Sequence, residues 1–465
     1  AAGTVEGYSD LFTCREGLNV IEPFVWRTYR FLRIAVHHPD GPVVIRDLAN
    51  TFTAYPFVEK AEFESSEPLH RRLWDVSWWT ARLCAHEHYE DCPYYEQLQY
   101  VGDTRLQSLV SYMVAGDFRL ARQALRIWAQ TRRSDGITLS RAPSSSQAPQ
   151  VIPNFSLIWI EYLEDFYRYS GDAGLVAELS PAVRSVLEWF EQFDMDGVVE
   201  QCPYWVFTDW SLKSRRHVAG STGELNLRRI AALRAGARLM VAIGDVKSAQ
   251  RYEQQAARSI GAVRERLWSK QSGLFLDELD GELLAEHASI LAILYDVVSR
   301  QEAMEIVERL ESHQALARTT IYYSYYKARA YEKLGLYGRA WKAMLKNYTD
   351  VLALHGSTWF EAPEPSRSDC HAWGSWIMCD MLSTILGVTP VEPGFASVRI
   401  APHLLDLTWA RGALPTVRGP VSVAWERSDG NVRYAVTLPP QTRGVLVSPD
   451  GQQVQLGEGS TEVTL

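Results

Sequence analysis

The chain has 465 residues, 46% of them hydrophobic and 22% charged, an ordinary globular balance with length for two or three cores. Its formal net charge of −9 argues against a general nucleic-acid partner, which needs a basic excess. No apolar run reaches the length of a membrane-spanning helix, so no membrane partner is expected.

Residues 1–60 read as β and irregular. RTYRFLRIAV, ending at Val36, alternates in strand formers, and Asp40–Val44 supplies a turn and a further short strand. The reading is a remnant of an N-terminal β domain. The first residues, AAGTVEGYSD, have neither a basic nor an apolar leader segment. No signal peptide is expected in this chain, although one upstream could have been removed.

At Ser66-Glu67-Pro68 the period changes. A capping residue followed by Pro marks a helix start, and Leu69, Leu73, Val76, Thr80 and Leu83 continue at helical spacing. Twelve helical stretches follow to about residue 388: 67–88, 103–115, 118–133, 154–170, 173–194, 224–243, 245–269, 284–298, 300–312, 319–334, 337–347 and 369–387. Gly116-Asp117, Gly171-Asp172 and Gly244-Asp245 each end one helix with the left-handed residue and cap the next. Gly335 and Gly338 bracket a similar joint. Such joints make antiparallel helical hairpins, and twelve of these helices suit a closed double ring. A single-layer helical array is the structural alternative.

After Pro390 come the short alternating segments ASVRIAP, PVSVAWE, VRYAVTL, RGVLVSP and TEVTL. Turns such as Ser428-Asp429-Gly430 and Pro449-Asp450-Gly451 separate them. The division expected is therefore 1–60 as β remnant, 61–389 as helical domain and 390–465 as a small β-sandwich.

A compact helical domain connects its helices briefly, so the long connections 89–102, 134–153, 195–223 and 348–368 stand out. Glu90–Arg105, read EDCPYYEQLQYVGDTR, holds Asp91, Glu96 and Asp103 beside Tyr100. Paired carboxylates next to aromatic rings suit glycoside chemistry: one carboxyl protonates the leaving oxygen while the other activates water or attacks carbon. A plain polar helix connection is the competing reading. YWVFTDWS offers Trp205, Asp209 and Trp210 as pocket wall, with core packing or capping as the competing reading. HGSTWFEAPEPSRSDCHAWG offers Trp359, Glu361, Glu364, Asp369 and His371. In a double ring these loops converge on one face. Arg215 and Arg216 read as a solvated pair.

The six cysteines, at 14, 84, 92, 202, 370 and 379, show no zinc-like spacing and read as reduced, mostly buried thiols. That favours a cytoplasmic compartment, or a periplasmic or secreted one if an upstream signal was removed. The 16 Trp and 22 Tyr fill cores and also make flat walls for sugar rings.

DCPYYEQLQYVGDTR resembles the DCP-x-x-E-x-x-x-x-x-GD signature of bacterial α-L-rhamnosidases, six-hairpin glycosidases with an (α/α)6 barrel. STWFE resembles their second acidic motif. GVTPVEPGFASVRIAPH is similar to their junction with a C-terminal β domain, and YPFVEKAEFESSEPLHRRLWDV to the start of their barrel. The resemblance implies an inverting hydrolase for terminal α-L-rhamnose, acting on a carbohydrate substrate without cofactor or metal. It implies Glu96 as general acid, Glu361 as general base with Glu364 as rival, and Asp91 and Asp103 holding sugar hydroxyls. Tyr100, Trp205, Asp209, Trp210, Trp359 and His371 are the further candidates for binding substrate. An inverting pair is expected roughly 6.5–9.5 Å apart, and burial beside Asp91 and Asp103 is expected to raise the Glu96 pKa. Many family members place Arg beside the acid and Trp beyond it. Here Tyr95 and Gln97 flank Glu96 and Tyr100 takes the Trp place, so a pocket without basic neighbours is expected, with the sugar less defined than the glycosidase class. A related glycosidase for another sugar, a non-catalytic carbohydrate-binding protein and a helical-repeat scaffold are the alternatives.

Overall fold

A computed structural model describes residues 7–37, 41–144, 148–215, 221–279, 281–428 and 430–465. The Asp40 and Asp429 turns and the Arg215–Arg216 pair fall partly outside them.

Strand β1 (Glu62–Ser65) precedes twelve α-helices among the described residues. These are α1 (Pro68–Leu83), α2 (Val101–Val110), α3 (Arg119–Gln130), α4 (Pro153–Ser170), α5 (Ala173–Glu191) and α6 (Gly223–Ala242). They continue with α7 (Val246–Leu267), α8 (Glu286–Leu294), α9 (Arg300–Ser312), α10 (Ser324–Lys333), α11 (Tyr337–Ala353) and α12 (Ile377–Asp380). Helices α2 and α12 each run on through one wider turn, at Ser111–Ala115 and Met381–Ile385. Each helix corresponds to one sequence-predicted stretch. The last begins later, because Ala372–Trp376 is a tight 3-10 turn leading into α12.

The helices alternate in character. Every residue of α2 and α12 is buried, as is all of α8 but Leu294, and most of α4 and α6. Helices α3, α5, α7, α9 and α11 bury one face only, the pattern of a helix with solvent on its far side. The even helices pack in sequence, α2 on α4, α4 on α6, α6 on α8 and α8 on α10, and α2 meets the turn leading into α12. This is an inner ring inside an outer one, the (α/α)6 arrangement, and not a single-layer array.

Inner helices α2, α4, α6 and α10 pass to their outer neighbours by short joints. Gly116, Gly171, Gly244 and Gly335 take φ of 60°, 75°, 80° and 79° there. Asp172 accepts from Leu175 N–H at 3.0 Å, and Asp245 from Ser248 N–H at 3.1 Å. Short joints at one end leave all the long connections at the other, before the N-termini of the inner helices. At the first helix the cap is Glu67, whose side chain accepts from Leu69 N–H at 3.0 Å.

Charge inside the ring is paired. Arg105 donates to Glu161 at 2.6 Å and to Asp165 at 2.7 Å. Arg228, fully buried, donates to Glu161 and Glu224 at 3.1 Å each and to Tyr295 at 2.6 Å. This network fixes α2, α4 and α6 in register with the end of α8. Removing one partner of such a buried pair costs about 3–5 kcal/mol.

Two hairpins, β2 (Asp194–Met195) with β3 (Val198–Val199) and β4 (Trp268–Ser269) with β5 (Leu274–Phe275), lie in the connections. The C-terminal strands are β6 (Val388–Pro390), β7 (Ser397–Ile400), β8 (Trp409–Thr416), β9 (Gly419–Ser428), β10 (Asn431–Leu438), β11 (Arg443–Val447), β12 (Gln453–Leu456) and β13 (Gly459–Thr464). They form sheets of order β1-β8-β9-β10-β13 and β12-β11-β7-β6. No strand forms among the described residues before Glu62. RTYRFLRIAV lacks a partner ladder there, and Phe31, Leu32 and Ile34 remain exposed. The N-terminal strand is instead Glu62–Ser65, paired with Ala410–Ala413 of β8. No helix among the described residues is long and apolar enough to cross a membrane.

Candidate active site

The connections before α2, α4, α6, α10 and α12 meet over the N-terminal end of the inner ring. Arg367, ahead of α12, hydrogen-bonds Glu96 Oε1, ahead of α2. His371 Nε2 lies 2.9 Å from Asp103 Oδ1 in the first turn of α2. Arg141, ahead of α4, donates to the Tyr100 hydroxyl at 2.8 Å. Asp209, ahead of α6, accepts from Thr320 N–H at 2.8 Å, ahead of α10.

Glu96 is held by a phenol and two cations. Tyr100 Oη donates to its Oε2 at 2.8 Å, and Arg141 Nη1 stands 3.9 Å from the same oxygen. Burial pushes its carboxyl up, but the hydrogen bonds from Arg367 and Tyr100 and the two guanidinium charges outweigh burial and hold it below the usual range. This reverses the sequence expectation of a raised Glu96 and corrects that of a pocket without basic neighbours. The flanking Tyr95 and Gln97 are not basic. The cations come from connections far away in sequence, with Arg367 also lying 5.3 Å from the Tyr95 ring centre.

Asp91 is 3% exposed. Its Oδ1 accepts from Leu98 N–H and its Oδ2 from the Cys92 thiol, each at 2.9 Å. Burial pushes its carboxyl up to about 6; the charge of His371 opposes that and the charge of Asp103 adds to it. His371 is buried, which lowers its pKa, yet Asp103, Glu361 and Asp91 together carry it up to about 9. An imidazolium thus sits among carboxylates at neutral pH.

Glu361 is 8% exposed. Its N–H donates to Ser368 O at 2.9 Å, and its carbonyl accepts from Trp373 Nε1 at 3.1 Å. Both bonds fix the backbone, and its carboxylate charge acts on Arg367 and His371. The rival Glu364 turns to its own loop and accepts from Ser366 N–H at 2.9 Å.

The aromatic residues divide. Tyr100, Trp205 and Trp210 are half-buried. Trp205 and Trp210 lie edge-on to Phe207 at 5.9 and 5.2 Å. Tyr322 stacks on Trp373 at 4.6 Å, and Trp373 lies 4.4 Å from the His371 ring. Trp359 departs from the sequence expectation. It is fully buried, donates from Nε1 to Ser77 at 2.8 Å and packs against Tyr348, so its ring lies behind the pocket. Asp209 is likewise enclosed: His287 Nε2 at 2.8 Å, Trp210 N–H at 2.7 Å and both Thr320 donors occupy its oxygens.

Sequence reasoning missed Arg141, Arg367, Phe207, Tyr322 and Trp373. Three of these five sit in connections already marked as too long; Tyr322 and Trp373 stand in stretches read as helix. No local motif distinguishes them from surface or core residues.

Two family models match the chain: the bacterial alpha-L-rhamnosidase 6 hairpin glycosidase domain over residues 58–321 and the bacterial alpha-L-rhamnosidase C-terminal domain over residues 387–462. The GH78 family rhamnosidase of Bacillus sp. GL1 superposes with a TM-score of 0.80 at 27% identity, over 86% of this chain and 44% of that one. The Streptomyces avermitilis alpha-L-rhamnosidase complexed with L-rhamnose gives 0.76 at 17% identity, over 89% and 43%, a likeness of fold. An alpha-L-rhamnosidase of Streptomyces avermitilis is 30% identical over 94 residues, 19% of this chain and 9% of that protein. The chain therefore spans less than half the length of these relatives.

Proposed function

This chain belongs to the family of bacterial alpha-L-rhamnosidase six-hairpin glycosidases, and from that premise we propose that it hydrolyses terminal α-L-rhamnosides with inversion. The observation that carries the reading is Arg367, which hydrogen-bonds Glu96 and lies in the electrostatic field of Glu361, a residue distant from Glu96 in sequence. Glu96 is the general acid and Glu361 the general base that activates water. Asp91, Asp103 and His371 hold sugar hydroxyls. Tyr100, Trp205 and Trp210 supply ring surface, and Asp209 and Trp359 support that wall from behind.

The acid role needs a protonated Glu96, and the resting geometry favours the carboxylate. Arg367 is 52% exposed on its side chain, so it leaves Glu96 at little cost when a leaving group arrives. Loss of that cation moves the Glu96 pKa upward, in the direction the proton donor requires.

Turnover of α-L-rhamnosides with good and poor leaving groups tests the roles. Glu96→Gln is expected to lose about 10²–10⁴-fold on an alkyl rhamnoside and far less on a dinitrophenyl rhamnoside, which departs unprotonated. Glu361→Gln is expected to lose activity on both. NMR of the first-formed sugar is expected to show the β anomer. Retained configuration, or equal losses for Glu96→Gln on both leaving groups, would sink the assignment. Asp91, pushed up to about 6, supports a second reading in which it donates the proton. In that case Asp91→Asn, and not Glu96→Gln, shows the leaving-group dependence.

A further inference from the structure

Three ligand-type groups come together beneath the proposed sugar site. A carboxylate oxygen of Asp91, Sγ of Cys92 and a ring nitrogen of His371 all lie within 4.8 Å of one another. All three residues are buried, at 3%, 0% and 3% exposure. A second observation concerns the ring. His371 Nε2 is engaged by Asp103 at 2.9 Å, while its Nδ1 is buried and has no hydrogen-bond partner among the described residues. An unpartnered buried nitrogen is costly. Here it belongs to a ring whose other nitrogen is held by a carboxylate, the arrangement that orients a metal-binding histidine.

We propose that Asp91, Cys92 and His371 form a binding site for a thiophilic divalent cation of the Zn2+ class, with a carboxylate oxygen, Sγ and Nδ1 as ligands. A mixed O, S and N set from Asp, Cys and His matches the preferences of that ion. The surrounding charge is favourable, since Asp103 and Glu361 also bear on His371. Bonding distances near 2.0–2.3 Å hold the ligand atoms of a tetrahedral ion roughly 3.5 Å apart, within the 4.8 Å limit on the present separations. Binding releases the Cys92 thiol proton and the Nδ1 proton of the His371 imidazolium to solvent, which frees the Nδ1 lone pair for the metal. Cys92 then exchanges its hydrogen bond to Asp91 for a bond to the cation.

The site shares Asp91 and His371 with the proposed sugar pocket, so an occupying cation excludes the sugar. That consequence rests on the functional reading above; the cation site itself does not.

Calorimetric titration with ZnCl2 tests the site in the full chain carrying Cys84→Ser and Cys370→Ser. These changes remove a neighbouring thiol pair whose sulfurs lie 3.9 Å apart. One ion per chain is expected. Cys92→Ser keeps a hydroxyl for Asp91 and is expected to weaken binding roughly 100-fold or more, because a hydroxyl is a poor ligand for a soft cation. Asp103→Asn is expected to weaken it about 10- to 100-fold. Co2+ is expected to give a thiolate charge-transfer band that Cys92→Ser abolishes. Circular dichroism checks each variant. Should Cys92→Ser not fold, the Co2+ band of the parent decides. No uptake of Zn2+, undiminished uptake by folded Cys92→Ser, or a Co2+ spectrum without the thiolate band would overturn the proposal. L-Rhamnose added to the Zn2+ complex separates the two readings: release of the ion supports the shared pocket, while tight Zn2+ binding indifferent to rhamnose upholds the site and counts against the sugar reading.

Discussion

Glu96 shows how a single side chain depends on contacts that no local sequence reveals. Its immediate neighbours are neutral, yet two guanidinium groups and a phenol hold its carboxyl below the usual range against the effect of burial. Arg367→Gln removes both a hydrogen bond and a positive charge, so the Glu96 pKa rises in the variant. A general acid works only while protonated, and activity falls as pH climbs through its pKa. The alkaline limb of kcat/KM, which reports the free enzyme, is therefore expected to move to higher pH in Arg367→Gln. A limb that stays in place or moves to lower pH would remove Glu96, or its pairing with Arg367, from that titration.

The pattern of joints decides the arrangement at the scale of elements. Left-handed glycines close the joints after α2, α4, α6 and α10, with Asp caps on α5 and α7, so these inner helices point their N-termini towards the long connections. The passage from the wider turn after α12 into β6 relies on the same freedom. Gly387 has φ of 76°, and a Cβ there meets the backbone of Ala401 and Pro402. Gly387→Ala therefore strains the backbone and clashes at the junction of helices and sheets. A loss of at least about 1–3 kcal/mol is expected, measured by chemical unfolding; a variant within 0.5 kcal/mol of the parent, about the scatter of neutral surface changes, would show that the junction yields. The helices were legible because a 3.6-residue period persists over several turns. Strand β8 was not, because Gly412 and Pro415 interrupt its alternation and pairing on both sides, with β1 and β9, makes it a strand.

Across the whole molecule, helical and β regions share structure. Strand β1 lies ahead of the first helix yet completes a sheet of C-terminal strands. Trp425 Nε1 donates to Ile385 O at 3.0 Å, and Arg168 to Pro390 O at 3.2 Å. One continuous apolar cluster runs from Phe63 through the inner helices to Leu456. A single cooperative thermal transition is expected, with tryptophan fluorescence and far-ultraviolet circular dichroism coinciding. Two resolved transitions would show that the C-terminal sheets unfold independently.

The sequence by itself determined the twelve helices, the joints between them and the motif DCPYYEQLQYVGD, because periodicity, capping and a short signature are local properties. It also marked the long connections, since length is visible in one dimension. Only the tertiary structure decided which residues meet there: Arg367 on Glu96, His371 on Asp103, Thr320 on Asp209. It alone placed Trp359 behind the wall and lowered Glu96, because burial and ionisation depend on every charge and ring nearby in space, and those neighbours come from connections that the ring closure brings together.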